Sequence, residues 1–439
     1  MPHASAAARV TAMPSNGLTQ AARDAAVAVD AGMVAADLAA LVRIPSVTGD
    51  EDAIAATLAD RLEALGMAVE VFTPNPADIR DDPAWPGEEV PRTSLSVVIG
   101  RAGRPGGRRL VLSGHIDVVP AGDPATWTLD PFSGQEVDGE LYGRGSGDMK
   151  GGVASILGAV RALRDTRALE RLDGELIVAL VPSEEDGGQG TLAAIRAGAT
   201  GDMAVITEPT KLDLVVAHAG AITFRLTVPG RAAHASRRTE GVSALASLNT
   251  LITALEADET RRNEAETEPL MTALGMPYPT MIGKVAGGEW ASTVMDRLEA
   301  EGRYGVRLGQ TPEEAADELR AAITAACLAD PFLREHPAAV EITGARFASS
   351  QVAGDHALPM GLAVVAREVT GSTPAQVGVP YGCDMRLFIN VGNTPCVVYG
   401  PGDVLLAHGA DERVPLAEVE ACARVLAAWV VAELGLLRL

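Results

Sequence analysis

Apolar residues recur at two periods along this chain, and the period changes with position. Ile54, Leu58, Leu62 and Leu65 fall at helical spacing behind the acidic stretch TGDED, which offers capping carboxylates. AVEVF (68–72) then alternates as a strand. LSVVIG and RRLVLSG are short apolar runs with β-branched residues. Residues 151–163 read as a helix, followed by the strands ELIVALV and MAVIT. Strands alternating with helices predict an α/β domain: a mixed sheet with helices on both faces.

The pattern changes near residue 215. AITFRLTVPG alternates, GVSALASLNTLITALEADET is helical, and RLEAEGRYGVRL alternates again. TPEEAADELRAAITAAC opens with a Thr-Pro-Glu-Glu start and runs helical. Strand, helix, strand, helix predict a small α+β unit inserted into the larger domain. After residue 331 the chain returns to helix, the strand CVVYG and a last helix from Leu416. The expected organisation is a loose tail (1–29), a first part of the large domain (30–214), the insertion (215–330) and the second part (331–439).

Composition narrows the partners. Lys and Arg number 36 against 58 Asp and Glu, a net charge of −22, which repels phosphate backbones and argues against nucleic acid. No apolar run reaches the ~18–20 residues of a membrane span. The start of the chain lacks a basic residue followed by an apolar stretch, and none of the four cysteines forms a C-x-x-C pair. A cytoplasmic protein with no membrane partner is expected.

Five stretches carry candidate chemistry. SGHIDVVP sets His115 and Asp117 at a strand end, and GRGSGDMKGG surrounds Asp148 with glycines. That glycine spacing is not a phosphate loop, and no G-K-[ST] follows. SEEDGG sets Glu184 beside Glu185, where adjacent side chains on extended backbone point different ways. Glu208 follows MAVIT, and His408 lies near Asp411 and Glu412. Taken singly, the twin glutamates read more readily as a solvated loop and His115 as a satisfied core histidine than as site residues. Four of the five follow predicted strands, and open α/β sheets gather ligand sites at strand C-terminal ends. Two histidines with three or four carboxylates suit a pair of divalent ions, Zn²⁺ first, with Co²⁺ or Mn²⁺ as alternatives.

The ordered set SGHIDVVP, GRGSGDMKGG, SEEDGGQGT, TEPT, GRAAHAS and GPGD with AHGADE resembles the M20 family of metallo-aminoacylases and metallopeptidases. The likeness is closest to its acetylornithine deacetylase/succinyl-diaminopimelate desuccinylase branch. The resemblance implies a catalytic domain with two metal ions and an inserted dimerisation (lid) domain, in a homodimer. It implies His115 and Glu208 on one ion, Glu185 and His408 on the other, and Asp148 bridging both. Asp117 would hydrogen-bond the far side of His115. Glu184, uncoordinated, would be the general base toward a metal-bridged water. His234 would polarise the scissile carbonyl across the dimer. Arg307 would bind a substrate carboxylate, with Ser292 and Gly400 as further substrate contacts.

Departures from the family pattern fall on substrate recognition. The usual Asn-x-x-Pro reads STVM, with Ser292 and Met295, and the acid expected two residues before Arg307 is Gly305. Asp384 and Arg386 receive no role. The expected activity is hydrolysis of an N-acyl-L-amino acid amide. A dipeptidase or carboxypeptidase acting on a short peptide shares that chemistry. The other class, a non-catalytic metal-binding dimer, is opposed by the complete ligand set and the intact Glu184. A serine hydrolase has no G-x-S-x-G to support it.

Overall fold

The computed structural model describes residues 17–437. Eight strands precede the change of pattern: β1 (Ala68–Phe72), β2 (Val97–Gly103), β3 (Arg108–His115), β4 (Gln135–Val137), β5 (Glu140–Tyr142), β6 (Gly174–Val181), β7 (Met203–Ile206) and β8 (Leu214–His218). Next come β9 (Gly220–Pro229), β10 (Thr280–Gly287), β11 (Arg297–Val306) and β12 (Ala339–Phe347). The last four are β13 (Ser350–Gln351), β14 (Gln376–Val379), β15 (Cys396–Val398) and β16 (Arg413–Pro415).

One mixed sheet runs β1-β2-β6-β3-β7-β15-β8-β13, with β14 also paired to β8. Its central strands are buried along almost their whole length, and so they are continuously apolar rather than alternating. The helices Gly151–Asp165 and Leu416–Leu434 join the same core, which encloses Trp429. β3, β6, β7 and β15 run parallel to one another, so their C-terminal ends share one edge.

β9 to β12 form a separate antiparallel sheet, ordered β10-β11-β9-β12. Leu298, Ala300, Tyr304 and Val306 of β11 point inward against the helices Ala244–Glu264 and Pro312–Ala329. The second helix opens with a capping box in which the Thr311 hydroxyl and the Glu314 carboxylate satisfy each other's backbone amides. The chain crosses between the sheets at 219–220 and 348–349. There His218 Nε2 lies 2.7 Å from Ser350 Oγ, joining the two crossing strands.

Two expected boundaries are corrected. Within the tail expected over 1–29, Gln20–Val27 is a helix with Ala22, Ala25 and Ala26 buried; residues 1–16 lie outside the described residues. The return expected at 331 comes later, because β12 pairs with β9 from Ala339 opposite Thr227 to Phe347 opposite Ala221. Among the described residues no single helix is long and apolar enough to cross a membrane. Cys327, Cys383, Cys396 and Cys422 are free and buried.

Candidate metal centre and active site

The shared edge of the four parallel strands gathers the chemistry. β3 ends on His115, β6 runs into Glu184 and Glu185, β7 leads to Glu208, and the loop after β15 brings His408. Asp148 arrives from the turn between β5 and the helix at 151. Its backbone N–H and that of Gly147 both donate to Glu412 Oε1 at 3.0 Å, and Arg144 pairs with the same carboxylate.

Two groups result, each with ligand atoms within 4.8 Å of one another: His115, Asp148 and Glu208; and Asp148, Glu185 and His408. His115 Nε2 stands 2.9 Å from Asp148 Oδ1 and 3.5 Å from Glu208 Oε2. His408 Nε2 stands 3.0 Å from Glu185 Oε2 and 3.5 Å from Asp148 Oδ2. Asp148 thus offers one oxygen to each group.

The electrostatics fit cations. Burial, reinforced by the charge of Asp148, pushes Glu185 up to about 7. Burial also pushes Glu208 up to about 8, with the attraction of His115 opposing it. Buried carboxylates this close cannot all ionise unaided, and divalent ions reverse that preference. His115 Nδ1 lies 2.9 Å from the Asp117 carbonyl oxygen. Donation there leaves the Nε2 lone pair for a metal.

Asp117 meets the far side of His115. Its backbone carbonyl, not its carboxylate, meets His115; the carboxylate is 3.6 Å from Nδ1. That carboxylate accepts the N–H of Glu184 at 3.2 Å and of Glu185 at 3.3 Å, and the Thr48 hydroxyl at 3.1 Å. One buried acid so orients the backbone of both glutamates. Glu184 belongs to neither ligand group, and it lines the cleft in front of them.

The cleft encloses about 390 Å³. Its opposite wall is the face of the small sheet that carries Ala221, Thr223 and Arg303. Arg303 is exposed to the cleft and makes no ion pair among the described residues. Arg307 lies elsewhere: its guanidinium is 3.3 Å from Glu318, and it does not line the cleft. The candidate cation on this wall is therefore Arg303, which sequence reasoning missed. The available signal was the strand phase, since Arg303 lies on the face of β11 opposite Leu298, Ala300 and Tyr304.

Three other expected contacts also lie away from this cleft. His234 is exposed, and its Nδ1 accepts the Ser236 N–H at 3.2 Å. Ser292 is exposed beside it, its carbonyl accepting the Ala235 N–H at 2.9 Å. Gly400 is packing: a Cβ there would run into the Thr207 carbonyl oxygen. Asp384 and Arg386 sit behind the twin glutamates. Arg386 donates to the Gly187 carbonyl at 2.6 Å and stacks on Phe347, while Asp384 accepts the Thr191 hydroxyl.

Comparison with known proteins agrees with this architecture. A succinyl-diaminopimelate desuccinylase of Methylorubrum extorquens is 37% identical over 50% of this chain, and the match spans only 56% of that protein. The acetylornithine deacetylase of Proteus mirabilis is 28% identical, over 87% of this chain and 91% of its own. Among solved structures, human carnosine dipeptidase 1 superposes with a TM-score of 0.69 at 17% identity, covering 94% of this chain and all of that one. A Sulfolobus solfataricus M20 family metallo-carboxypeptidase gives 0.70 at 16%, covering 90% and 97%. At such identities the likeness is one of fold. Residues 111–432, well over half of the sequence, match a family directly, and the chain belongs to peptidase family M20/M25/M40.

Proposed function

We propose that this M20-family amidohydrolase is a two-metal deacylase that removes the acyl group from an N-acyl-L-amino acid. The observation that carries the reading is the pair of ligand groups sharing Asp148, with the unligated Glu184 beside them. His115, Asp148 and Glu208 would hold one ion, and Asp148, Glu185 and His408 the other, Zn²⁺ first with Co²⁺ or Mn²⁺ as alternatives. Such ions polarise a carbonyl and lower the pKa of water. Glu184 takes a proton from the attacking water as the oxygen adds to the amide carbon. It then delivers that proton to the amide nitrogen as the C–N bond breaks, releasing a carboxylate and an amine.

Arg303 holds the substrate carboxylate from the facing wall. A screen of N-acetyl, N-succinyl and N-formyl amino acids beside dipeptides, with Zn²⁺ or Co²⁺ added, tests the substrate class. In the same screen Arg303→Ala should lose about 1.5–3 kcal/mol in kcat/KM on free acids, the worth of a hydrogen bond to a charged group. The loss should shrink on the matching amides, and Arg307→Ala should leave both nearly unchanged. Equal losses for both substrate forms would reject Arg303 as the carboxylate ligand. Glu89 on the same wall, accepting the Thr223 hydroxyl at 3.2 Å, supports the second reading, a dipeptidase that takes a free ammonium there. Dipeptides turning over faster than every N-acyl amino acid would favour that reading.

The working unit is proposed to be a cytoplasmic homodimer, its insertion running from 220 to 347. His234 and Ser292 stand together in loops of the insertion, away from their own cleft, which supports delivery of His234 to the partner's site. A histidine donor there would stabilise the charge that develops on the amide oxygen. His234→Ala and Glu184→Ala homodimers should each be nearly inactive. An equal mixture, unfolded and reassembled, should recover about a quarter of wild-type activity, because about half the dimers are mixed and each holds one whole site. No recovery despite proven subunit exchange would place His234 outside the partner's site.

A further inference from the structure

The turn bearing Glu184 and Glu185 is gripped, besides its bonds to Asp117, by a buried cation that belongs to neither ligand group. Arg92 lies on the segment between the short helix Pro76–Arg80 and β2, and its side chain is wholly buried. Its guanidinium is 3.1 Å from Glu51 and 3.0 Å from Asp186, and each of those carboxylates is 3% exposed. Asp186 directly follows Glu185. It also accepts the Ser183 hydroxyl at 2.5 Å and the Val90 N–H at 3.2 Å.

The turn needs such a hold. Ser183 has φ 73°, a left-handed conformation that a residue with a Cβ adopts only under outside constraint. The Arg92 segment also presses on the turn through its backbone: a Cβ on Gly187 would lie 2.7 Å from the Gly87 carbonyl oxygen. Burying a cation with two carboxylates is unfavourable unless the geometry is good, and apolar side chains would fill the space at least as well. What the charges add is direction. Arg92 ties the turn to Glu51, which immediately precedes the helix Asp52–Ala64.

We infer that Arg92 is a positioning residue: acting through Asp186, it sets the backbone of 183–186 so that Glu184 faces the reacting bond. This rests on the proposed role of Glu184 as general base. A displacement of about 1 Å in such a group is enough for a loss near 10²-fold.

The test is a double-mutant cycle on the metal-loaded full chain with Asp186→Asn, Arg92→Lys and the combination. Bound metal, thermal midpoint, KM and kcat are read for each. Asp186→Asn leaves Arg92 paired with Glu51, and Arg92→Lys keeps the charge but cannot span both carboxylates. Each single variant should lose about 10- to 100-fold in kcat. KM should stay within about twofold and metal near the wild-type content, since the ligand side chains remain. The double variant should fall little below the lower single one, because both changes cut the same link. Losses in kcat that multiply would overturn action through Asp186. Wild-type kcat in a folded, metal-replete Asp186→Asn chain would overturn the inference outright, and so would a kcat loss that added metal fully restores. If Arg92→Lys does not fold, Asp186→Asn alone still decides between these outcomes. Glu184→Gln is run beside them: wild-type kcat in that variant removes the general-base reading itself, whatever Arg92 does.

Discussion

Glu184→Gln should leave both metal ions bound and lower kcat by about 10²–10⁴-fold, the usual worth of a positioned general base. The substitution keeps shape and removes only the ability to take a proton. Glu184 is absent from both ligand groups, so metal content should not follow kcat downward. Its backbone N–H would still donate to Asp117, so the turn itself should hold. Glu185→Gln is the contrast. Its Oε2 stands 3.0 Å from His408 Nε2, inside one ligand group, and that variant should lose metal as well as rate. Metal counted per chain after dialysis, beside steady-state kinetics, separates the two. If Glu184→Gln keeps its full rate, or loses metal along with it, the assignment of the base fails.

Asp148→Ala should have the broadest effect of any single change. Asp148 alone stands in both groups, offering Oδ1 toward His115 and Oδ2 toward His408. Its removal leaves one histidine and one glutamate for each ion, short of the three or four protein ligands usual for zinc. Both ions should dissociate on dialysis. kcat/KM should fall by at least about 10⁴-fold, since groups that act as a unit lose nearly the whole rate when one is removed. Chelation of the wild-type enzyme should mimic the variant and be reversed by added Zn²⁺ or Co²⁺, whereas the variant should stay inactive. An Asp148→Ala chain that retains two ions would end the shared-ligand description. Because Glu412, itself paired with Arg144, accepts the backbone amides of Gly147 and Asp148, the fold around it should survive the change.

Most of the candidate metal centre was legible in the sequence because each of its parts is local. A histidine or glutamate just past a short apolar run is a group at a strand end, and that can be read without coordinates. His115, Glu208 and the twin glutamates were found this way, and Asp148 was marked by the glycines that surround it. The helices at 151, 244, 312 and 416 were legible for a similar reason, their apolar positions recurring at helical spacing.

What was missed follows from partners distant along the chain. The helix Gln20–Val27 falls in the stretch expected as a loose tail until its packing in the core is seen, because alanine carries too little apolar surface to mark a buried face. β10 is an edge strand exposed along most of its length, so it shows no buried alternation. β12 joins β9 more than a hundred residues earlier, a pairing that no local pattern encodes. Arg303 and Arg307 lie four residues apart in or just after β11, and both suit a carboxylate by type. Strand phase sets Arg303 on the face of β11 away from the helices, but the placement of the small sheet against the large one makes that face a wall of the cleft and leaves Arg307 beside Glu318. The sequence by itself determined the elements with a periodic buried face and the ligand types, since these depend on side-chain chemistry and short-range periodicity. The tertiary structure alone decided which end of β11 meets the site, which part of Asp117 meets His115, and how Arg92 reaches the twin glutamates, because each depends on contacts between segments that periodicity does not relate.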